Sequence, residues 1–393
     1  MSNVSRNRII YQSQAVYAGP DKSAKGDAGW RVETGQYAPL QLKRVQSANY
    51  SFDIARTDVN QFGELAAIDR VVLESPTVSF DTSWYACNWY NEDVVGLFVN
   101  PTGTLGANAN TGILSDILTS NADERNYYIR VVPEGEDAVG YDNTDDEPDH
   151  PHNDAAASAT IGIGNGFMSN WSMEGAVGGF PTASMSVEAL NIAFYSGISG
   201  NAPWVFASNG AKSTGQAADA DGATHNFVIP EATQSGSSTH SITAIKPGNI
   251  NITLPDPSGG ANVSGIAVQS FNVGFDLARE PLNKLGSRFA FTREITFPIT
   301  ATCSVDCLVG DFGTGNLSDI INNNVDNDVV IGLKETDDAT EDHMRVYLRK
   351  AKLDSQSFSQ GIGDNQTVTL NWSTQVGSKT QSGIGLFLSG NKA

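Results

Sequence analysis

The chain has 393 residues, with 24 Lys and Arg against 44 Asp and Glu, a formal net charge of -20. That balance excludes a protein that docks tightly on free nucleic acid or on an anionic membrane. Hydrophobic residues make up 39% and charged residues only 17%, with 39 glycines, which excludes disorder over the whole length and fits a β-rich, turn-rich protein.

Residues Met1 to Ile10 carry no apolar run of the signal-peptide kind. No later stretch approaches the roughly 18 apolar residues of a membrane span. Synthesis in a cytoplasm without export, and no membrane partner, are expected. Three cysteines, Cys87, Cys303 and Cys307, cannot form a disulfide framework, and an odd number leaves a free thiol, as in a reducing compartment.

Along the chain, Ser75, Thr77, Ser79, Asp81 and Ser83 alternate with Val78, Phe80 and Trp84. This period of two predicts a long strand with one apolar and one hydroxyl-rich face, the kind found in antiparallel sheets wetted on one side. The alternation returns from Phe289 to Val305 around Pro298. Pro76 and Pro298 should mark an edge, a bulge or a bend. Further strands are predicted at Tyr127 to Val132, Met185 to Phe194, Ile242 to Leu254, Met344 to Leu353 and Thr367 to Trp372. Two segments, Leu114-Ser115-Asp116-Ile117 and Leu317-Ser318-Asp319-Ile320, read as short helices with Ser115 or Asp116 as the cap of the first. Residues 198–240 are rich in Gly, Ser, Ala, Asn and Asp without a period, so they read as a linker or a loop insertion.

The chain repeats itself. Residues 45–70 match 268–293 without a gap, at an offset of 223 (268 minus 45), with 12 identities in 26 positions. Leu114 to Ile117 matches Leu317 to Ile320. Asn170-Trp171-Ser172 matches Asn371-Trp372-Ser373, and the Phe194 segment matches the Phe387 segment, all in the same order. The expected architecture is all-β: two tandem duplicated β-sandwich or barrel-like domains, residues 1–200 and 201–393, each with one short helix.

Candidate chemistry is sparse. The acidic run from Asp142 to Asp154, with His150 and His152, has oxygen ligands of the calcium kind but lacks the spacing of a calcium hand, so it reads as a solvated acidic loop. Cys303 and Cys307 have no second pair or His at zinc spacing, and read as strand-face packing plus a loop thiol. Gly162-Ile163-Gly164-Asn165-Gly166 lacks the dinucleotide pattern and reads as a loop. None of the five histidines is repeated, so acid-base catalysis has no carrier common to both copies. No catalytic residue, metal or cofactor is expected. What does repeat is polar: Asp53, Arg56, Asn60 and Arg70 with Asp276, Arg279, Asn283 and Arg293. An Asp and an Arg three apart suit ion pairs or hydrogen bonds across an interface, or an ordinary pair at a strand end. These eight are the oligomer-interface candidates.

The stretch from Arg44 to Arg70, and on to Tyr85, resembles the N-terminal signature of tail tube proteins of long-tailed, siphovirus-like bacteriophages, with a diverged echo at 268–305. The resemblance implies a β-sandwich flanked by a helix, whose sheets join around a ring of six domains to line a hollow tube, with long loops stacking the rings. A subunit with two fused domains resembles the variant that closes the ring from three chains with pseudo-sixfold symmetry. The implied partners are other copies of the chain, other tail proteins, and genomic DNA passing through the lumen without specific binding. The implied location is the virion. The second copy departs from the first, with Glu280-Pro281-Leu282 in place of Thr57-Asp58-Val59. Alternatives are another virion protein, such as a capsid decoration or tail terminator subunit, or a carbohydrate-binding or hydrolytic β-sandwich protein using Trp84, Trp89, Trp171 and Trp372 as stacking platforms.

Overall fold

The computed structural model describes residues 14–20, 30–33, 36–73, 75–101, 111–119, 123–132, 138–140, 159–196, 204–206, 212–214, 216–218, 224–227, 232–233, 245–255, 267–286, 289–290, 292–308, 326–334, 342–359, 365–378 and 383–391. The fold is all-β. In chain order the first half contains β1 (Gln14–Pro20), β2 (Trp30–Glu33), β3 (Gln36–Gln41), β4 (Val45–Asp53), β5 (Thr57–Val59), β6 (Asp69–Val71), β7 (Thr77–Tyr85), α1 (Tyr90–Val94), β8 (Val99–Asn100), α2 (Ser115–Thr119), β9 (Glu124–Val131), β10 (Val139–Gly140), β11 (Ala159–Ala176), β12 (Thr182–Ala189) and β13 (Asn191–Ser196). Short pieces follow: β14 (Trp204–Phe206), β15 (Lys212–Thr214), β16 (Gln216–Ala218), β17 (Thr224–Phe227) and β18 (Ala232–Thr233). The remainder is β19 (Ile250–Thr253), β20 (Ala267–Asp276), β21 (Arg279–Leu282), β22 (Thr292–Ile295), β23 (Ile299–Leu308), β24 (Asn327–Leu333), β25 (Met344–Ser359), β26 (Thr367–Val376) and β27 (Gly385–Gly390). Among the described residues no helix is long and apolar enough to cross a membrane.

Two long strands organise everything else. The first part of β11 pairs with β9 and β13, and its last part pairs with β12. Likewise β25 pairs first with β24 and β27, then with β26. Each long strand therefore belongs to two sheets, and the pairings join into one closed barrel-like network. Between the sheets of the first half, Phe80 from β7 meets Tyr127 from β9 with ring centroids 5.2 Å apart. Trp84, Trp89, Trp171 and Trp372 are all fully buried in the common core, each excluding a large apolar area from water. They have no exposed face to offer a sugar.

The change of sheet uses the same device twice. At the shift in β11 stands Asn165 (φ 56°), and at that in β25 stands Lys350 (φ 52°), both in the left-handed region that side chains seldom adopt. A side-chain acceptor waits for each freed amide. The Asn165 amide donates to Asn126 Oδ1 at 2.9 Å, and the Lys350 amide donates to Asp328 Oδ1 at 3.1 Å. Their side chains also find acids: Asn165 donates to Glu124, and Lys350 Nζ lies 3.4 Å from Asp326.

Four expectations need correction. Gly162 to Gly166 is not a loop; it lies inside β11, where Ile161 and Ile163 face the core. Gly166 is required there because a Cβ would lie 2.7 Å from Val187 and 2.9 Å from Tyr127. The two Asn-Trp-Ser motifs fall on β11 and β26, whereas by pairing the counterpart of β11 is β25 and that of β26 is β12. An inward Trp between outward polar residues suits any strand crossing this core. Cys307 is not a loop thiol; it is buried on β23 beside Cys303, and burial pushes the two thiols up to about 11 and about 12. Parts of the 198–240 segment form strands, with β17 parallel to β3 and β18 parallel to β10.

Within the predicted strand Ile242 to Leu254, residues 247–249 form a 3-10 turn before β19, and the predicted strand Met185 to Phe194 is broken at Leu190 into β12 and β13. Pro76 and Pro298 stand immediately before β7 and β23, where a missing amide leaves no ladder bond unmade. Helix α2 begins at Ser115, while 317–320 and the acidic run 142–154 lie outside the described residues. Sequence periodicity did not announce α1, a single turn that places Glu92 in the core.

Glu92 is fully buried, its Oε1 accepts from the Trp84 indole N–H at 3.0 Å, and the Trp171 indole also interacts with its carboxyl. Burial pushes its pKa up from 4.5 to about 7. The folded chain therefore retains a proton that the unfolded chain releases. The resulting stabilisation is complete below about 4.5 and lost as pH rises through about 7, and it amounts to about 3 kcal/mol across that window. Urea unfolding at pH 5 and pH 8 should show this decline in the native chain, and Glu92→Gln should flatten it.

Candidate channel wall and assembly edges

The larger sheets of the two halves form one wall. Its antiparallel order is β4-β7-β12-β11-β20-β23-β26-β25, and its middle seam is the pairing of β11 with β20, from Asn170 opposite Asp276 to Ala176 opposite Ser270. Alternation sends Trp84, Met185, Trp171, Phe275, Val305 and Trp372 into the core. The opposite face therefore receives the hydroxyls and amides, as a period of two requires.

Hydroxyls on this face bind one another across strands. Ser47 meets Ser83 at 2.6 Å, Ser51 meets Ser79 at 2.7 Å, and Ser172 meets Ser184 at 2.8 Å. Asp306 accepts from Ser270 at 2.7 Å and from Thr369 at 2.5 Å. Across Val45–Asp53, Thr77–Tyr85, 170–176, Thr182–Ala189, Ala267–Asp276, Ile299–Leu308, 355–359 and Thr367–Val376 there are six acids and no Lys, Arg or His, while the start of the β25–β26 pairing adds Lys352, opposite Ser373 and 2.7 Å from Asp326. The acids are Asp53, Asp81, Glu174, Glu188, Asp276 and Asp306. Such a surface is wettable and repels polyanions.

Both ends of the wall are open among the described residues: β4 pairs only with β7, and residues 355–359 of β25 pair only with β26. Their apolar-face residues Tyr50, Phe52 and Phe358 are 39%, 56% and 53% exposed. At the closed middle seam, Val273, Phe275 and Met173 are at most 3% exposed.

The eight interface candidates divide along the same line. In the second half, Asp276 accepts from Asn170 of the first half. Arg279 donates through both terminal nitrogens to the Asp123 carboxylate at 2.8 and 2.6 Å, and through Nε to the Met168 carbonyl at 2.6 Å. Its guanidinium also lies over the Phe167 ring, 5.3 Å from the centroid. Arg293 pairs with Glu188, and Asn283 accepts from Ser75 at 3.3 Å. All four thus bind the first half. In the first half, Asp53, Arg56 and Asn60 are exposed, and Arg70 bonds to the nearby Asp58 at 2.6 Å. The Asp and Arg three apart do not bind each other in either copy. Pro281 occupies the place of Asp58, opposite Arg293, and leaves Arg293 to reach Glu188.

Sequence reasoning passed over Glu188 and the carbonyl of Met168. Glu188 was legible as a polar-face residue of an alternating strand, but its partner lies 105 residues away.

The hairpins β5–β6 and β21–β22 form two-stranded sheets of their own. Phe62 and Leu285, at equivalent tip positions, are fully exposed, and each precedes a glycine with positive φ, Gly63 (92°) and Gly286 (84°). Only glycine adopts that turn without strain.

Arg279→Ala should destabilise the isolated chain by roughly 2–4 kcal/mol by leaving Asp123 unpaired. Arg56→Ala should change it by under about 0.5 kcal/mol, as an exposed substitution. Urea unfolding of the two variants checks the contrast.

No family model matches the chain, and no curated protein sequence does. Among solved structures, it is similar to the tail of an empty GTA particle refined with helical, C6 symmetry, at 12% identity and a TM-score of 0.23, over 33% of this chain and 92% of that one. It is also similar to the SPP1 tail tube determined by solid-state NMR and cryo-EM, at 13% identity and a TM-score of 0.25, over 38% of this chain and 81% of that one.

Proposed function

We propose that the chain is a major tail tube subunit of a siphovirus-like bacteriophage. It is a structural virion protein, made in the host cytoplasm, whose copies close into rings and stack into a conduit for DNA. The proposal includes two sibling units, residues 1–200 and 201–393, so that three chains supply six wall modules with pseudo-sixfold symmetry. Its role is mechanical, with other tail proteins capping the ends of the tube.

The observation that carries this reading is the eight-strand wall, its polar face rich in hydroxyls and acids with the one lysine of β25 there, Lys352, held by Asp326, and open at both ends among the described residues. Open edges pair promiscuously unless something occupies them. A heterologous contact between identical chains closes most simply as a ring. An acidic, hydroxyl-lined bore whose Lys352 is already paired with Asp326 offers little counter-charge for phosphate, so DNA slides through it without sticking. The apolar tips Phe62 and Leu285 suit axial contact between successive rings.

Electron microscopy of the purified chain tests the proposal: rings with apparent sixfold symmetry and stacked tubes are expected, and a monodisperse monomer under all conditions overturns it. Phe62→Asp with Leu285→Asp should leave rings intact and stop them stacking. Asp81→Lys with Glu174→Lys should still give tubes, but these should retain DNA at low salt and release it as salt rises, whereas unaltered tubes retain none. A filter-binding assay reads the difference.

A further inference from the structure

The internal seam between β11 and β20 is a template for the contact between chains. The pairings define which residues correspond. In the first hairpin of each half, Val45 opposes Trp84 and Val268 opposes Cys307, with a bulge at Gln46 and at Gln269. Each glutamine Nε2 even donates to the carbonyl two residues earlier, at 3.1 Å in one case and 3.5 Å in the other. The correspondence between β4 and β20 is therefore fixed residue by residue at 223 (268 minus 45).

The second hairpin is fixed in the same way. β11 bulges at Ser169 against β12, and β25 bulges at Asp354 against β26. Asn165 and Lys350, the left-handed residues, keep the same spacing of 185 (350 minus 165, and 354 minus 169). Asn170 thus corresponds to Ser355, Ser172 to Ser357 and Met173 to Phe358.

The strand that β20 meets is β11. The strand equivalent to β20 is β4, and the one equivalent to the end of β11 is the end of β25. These are the two strands that end the wall. We infer that β4 of one chain pairs antiparallel with residues 355–359 of a second copy in the register of the internal seam, with Asp53 opposite Ser355, Ser51 opposite Ser357 and Asn49 opposite Ser359. The inference rests on the tube reading and deepens it, because it names the residues of the joint.

Two features fit that partner. On the apolar face the register sets Phe52 beside Gln356 and Tyr50 beside Phe358, covering the exposed aromatics at both edges. Arg56 then takes the place of Arg279, with the Leu353 carbonyl of the partner subunit where Arg279 has that of Met168. The template is drawn close at one place that the joint does not share. Gly274 has no room for a Cβ, which would lie 2.5 Å from the Trp171 carbonyl oxygen. Ser51 stands there in β4, so the joint between chains is the wider of the two.

Cysteine pairing in assembled tubes tests the register. Directly opposed residues in an antiparallel pair lie about 4.5–5.5 Å apart at Cα, within disulfide range, whereas partners slipped by two residues lie about 7–8 Å apart and outside it. The native cysteines are buried. Tubes of Ser51→Cys/Ser357→Cys should cross-link between chains on mild oxidation severalfold more than tubes of Ser51→Cys/Ser355→Cys or Ser51→Cys/Ser359→Cys. Stronger cross-linking in a slipped pair, or none in any pair within tubes visible by microscopy, overturns the register while leaving the tube standing. If the unaltered chain forms no tubes at all, the tube reading fails and the register fails with it.

Discussion

A strand edge carries a row of amide and carbonyl groups that must find partners, and the whole molecule is arranged around one edge that it fills from within. The pairing of β11 with β20 joins two four-stranded sheets into a continuous wall. It also buries Phe275 against Trp171, with ring centroids 5.9 Å apart, and draws Arg279 into contact with Asp123. The same row of groups on β4 and on the end of β25 is left open. Met173 and Val273 are buried at the closed seam, whereas Phe358 and Tyr50, at the same places relative to the bulges of their strands, are exposed.

The long strands β11 and β25 give this wall its stiffness. Because each serves two sheets, the wall cannot tilt independently of the sheet behind it. The bend demands a left-handed residue, and the cost is offset by a dedicated acceptor, Asn126 in one half and Asp328 in the other. The segment after β7 ties the halves together as well. Trp89 donates from its indole N–H to the Ser389 carbonyl at 2.8 Å, and β8 runs parallel to β27. Core packing and strand pairing thus reinforce a single arrangement of the two halves.

The polar face owes its character to lateral hydrogen bonding. Serine and threonine hydroxyls that bind a neighbour across the strand have less free capacity for an outside ligand. Acids held among them, such as Asp306 between Ser270 and Thr369, keep the potential negative without long mobile side chains. Lysine and arginine are instead placed at the margins, where Lys350 and Lys352 meet Asp326 and Arg279 meets Asp123.

The sequence alone determined the chemistry of each strand face, because a period of two is a local property. Ser79, Asp81 and Ser83 against Val78, Phe80 and Trp84 already described a wet and a dry side. It could not tell the two Asn-Trp-Ser motifs apart, since both satisfy the same alternation on strands with different neighbours. Nor could it distinguish Arg56 from Arg279, which share the same local sequence. Only the tertiary structure decided that one is buried against Asp123 and the other faces water, because the pairing of β11 with β20 lies between residues about a hundred apart and is fixed by bulges and by backbone hydrogen bonds that no single side chain announces.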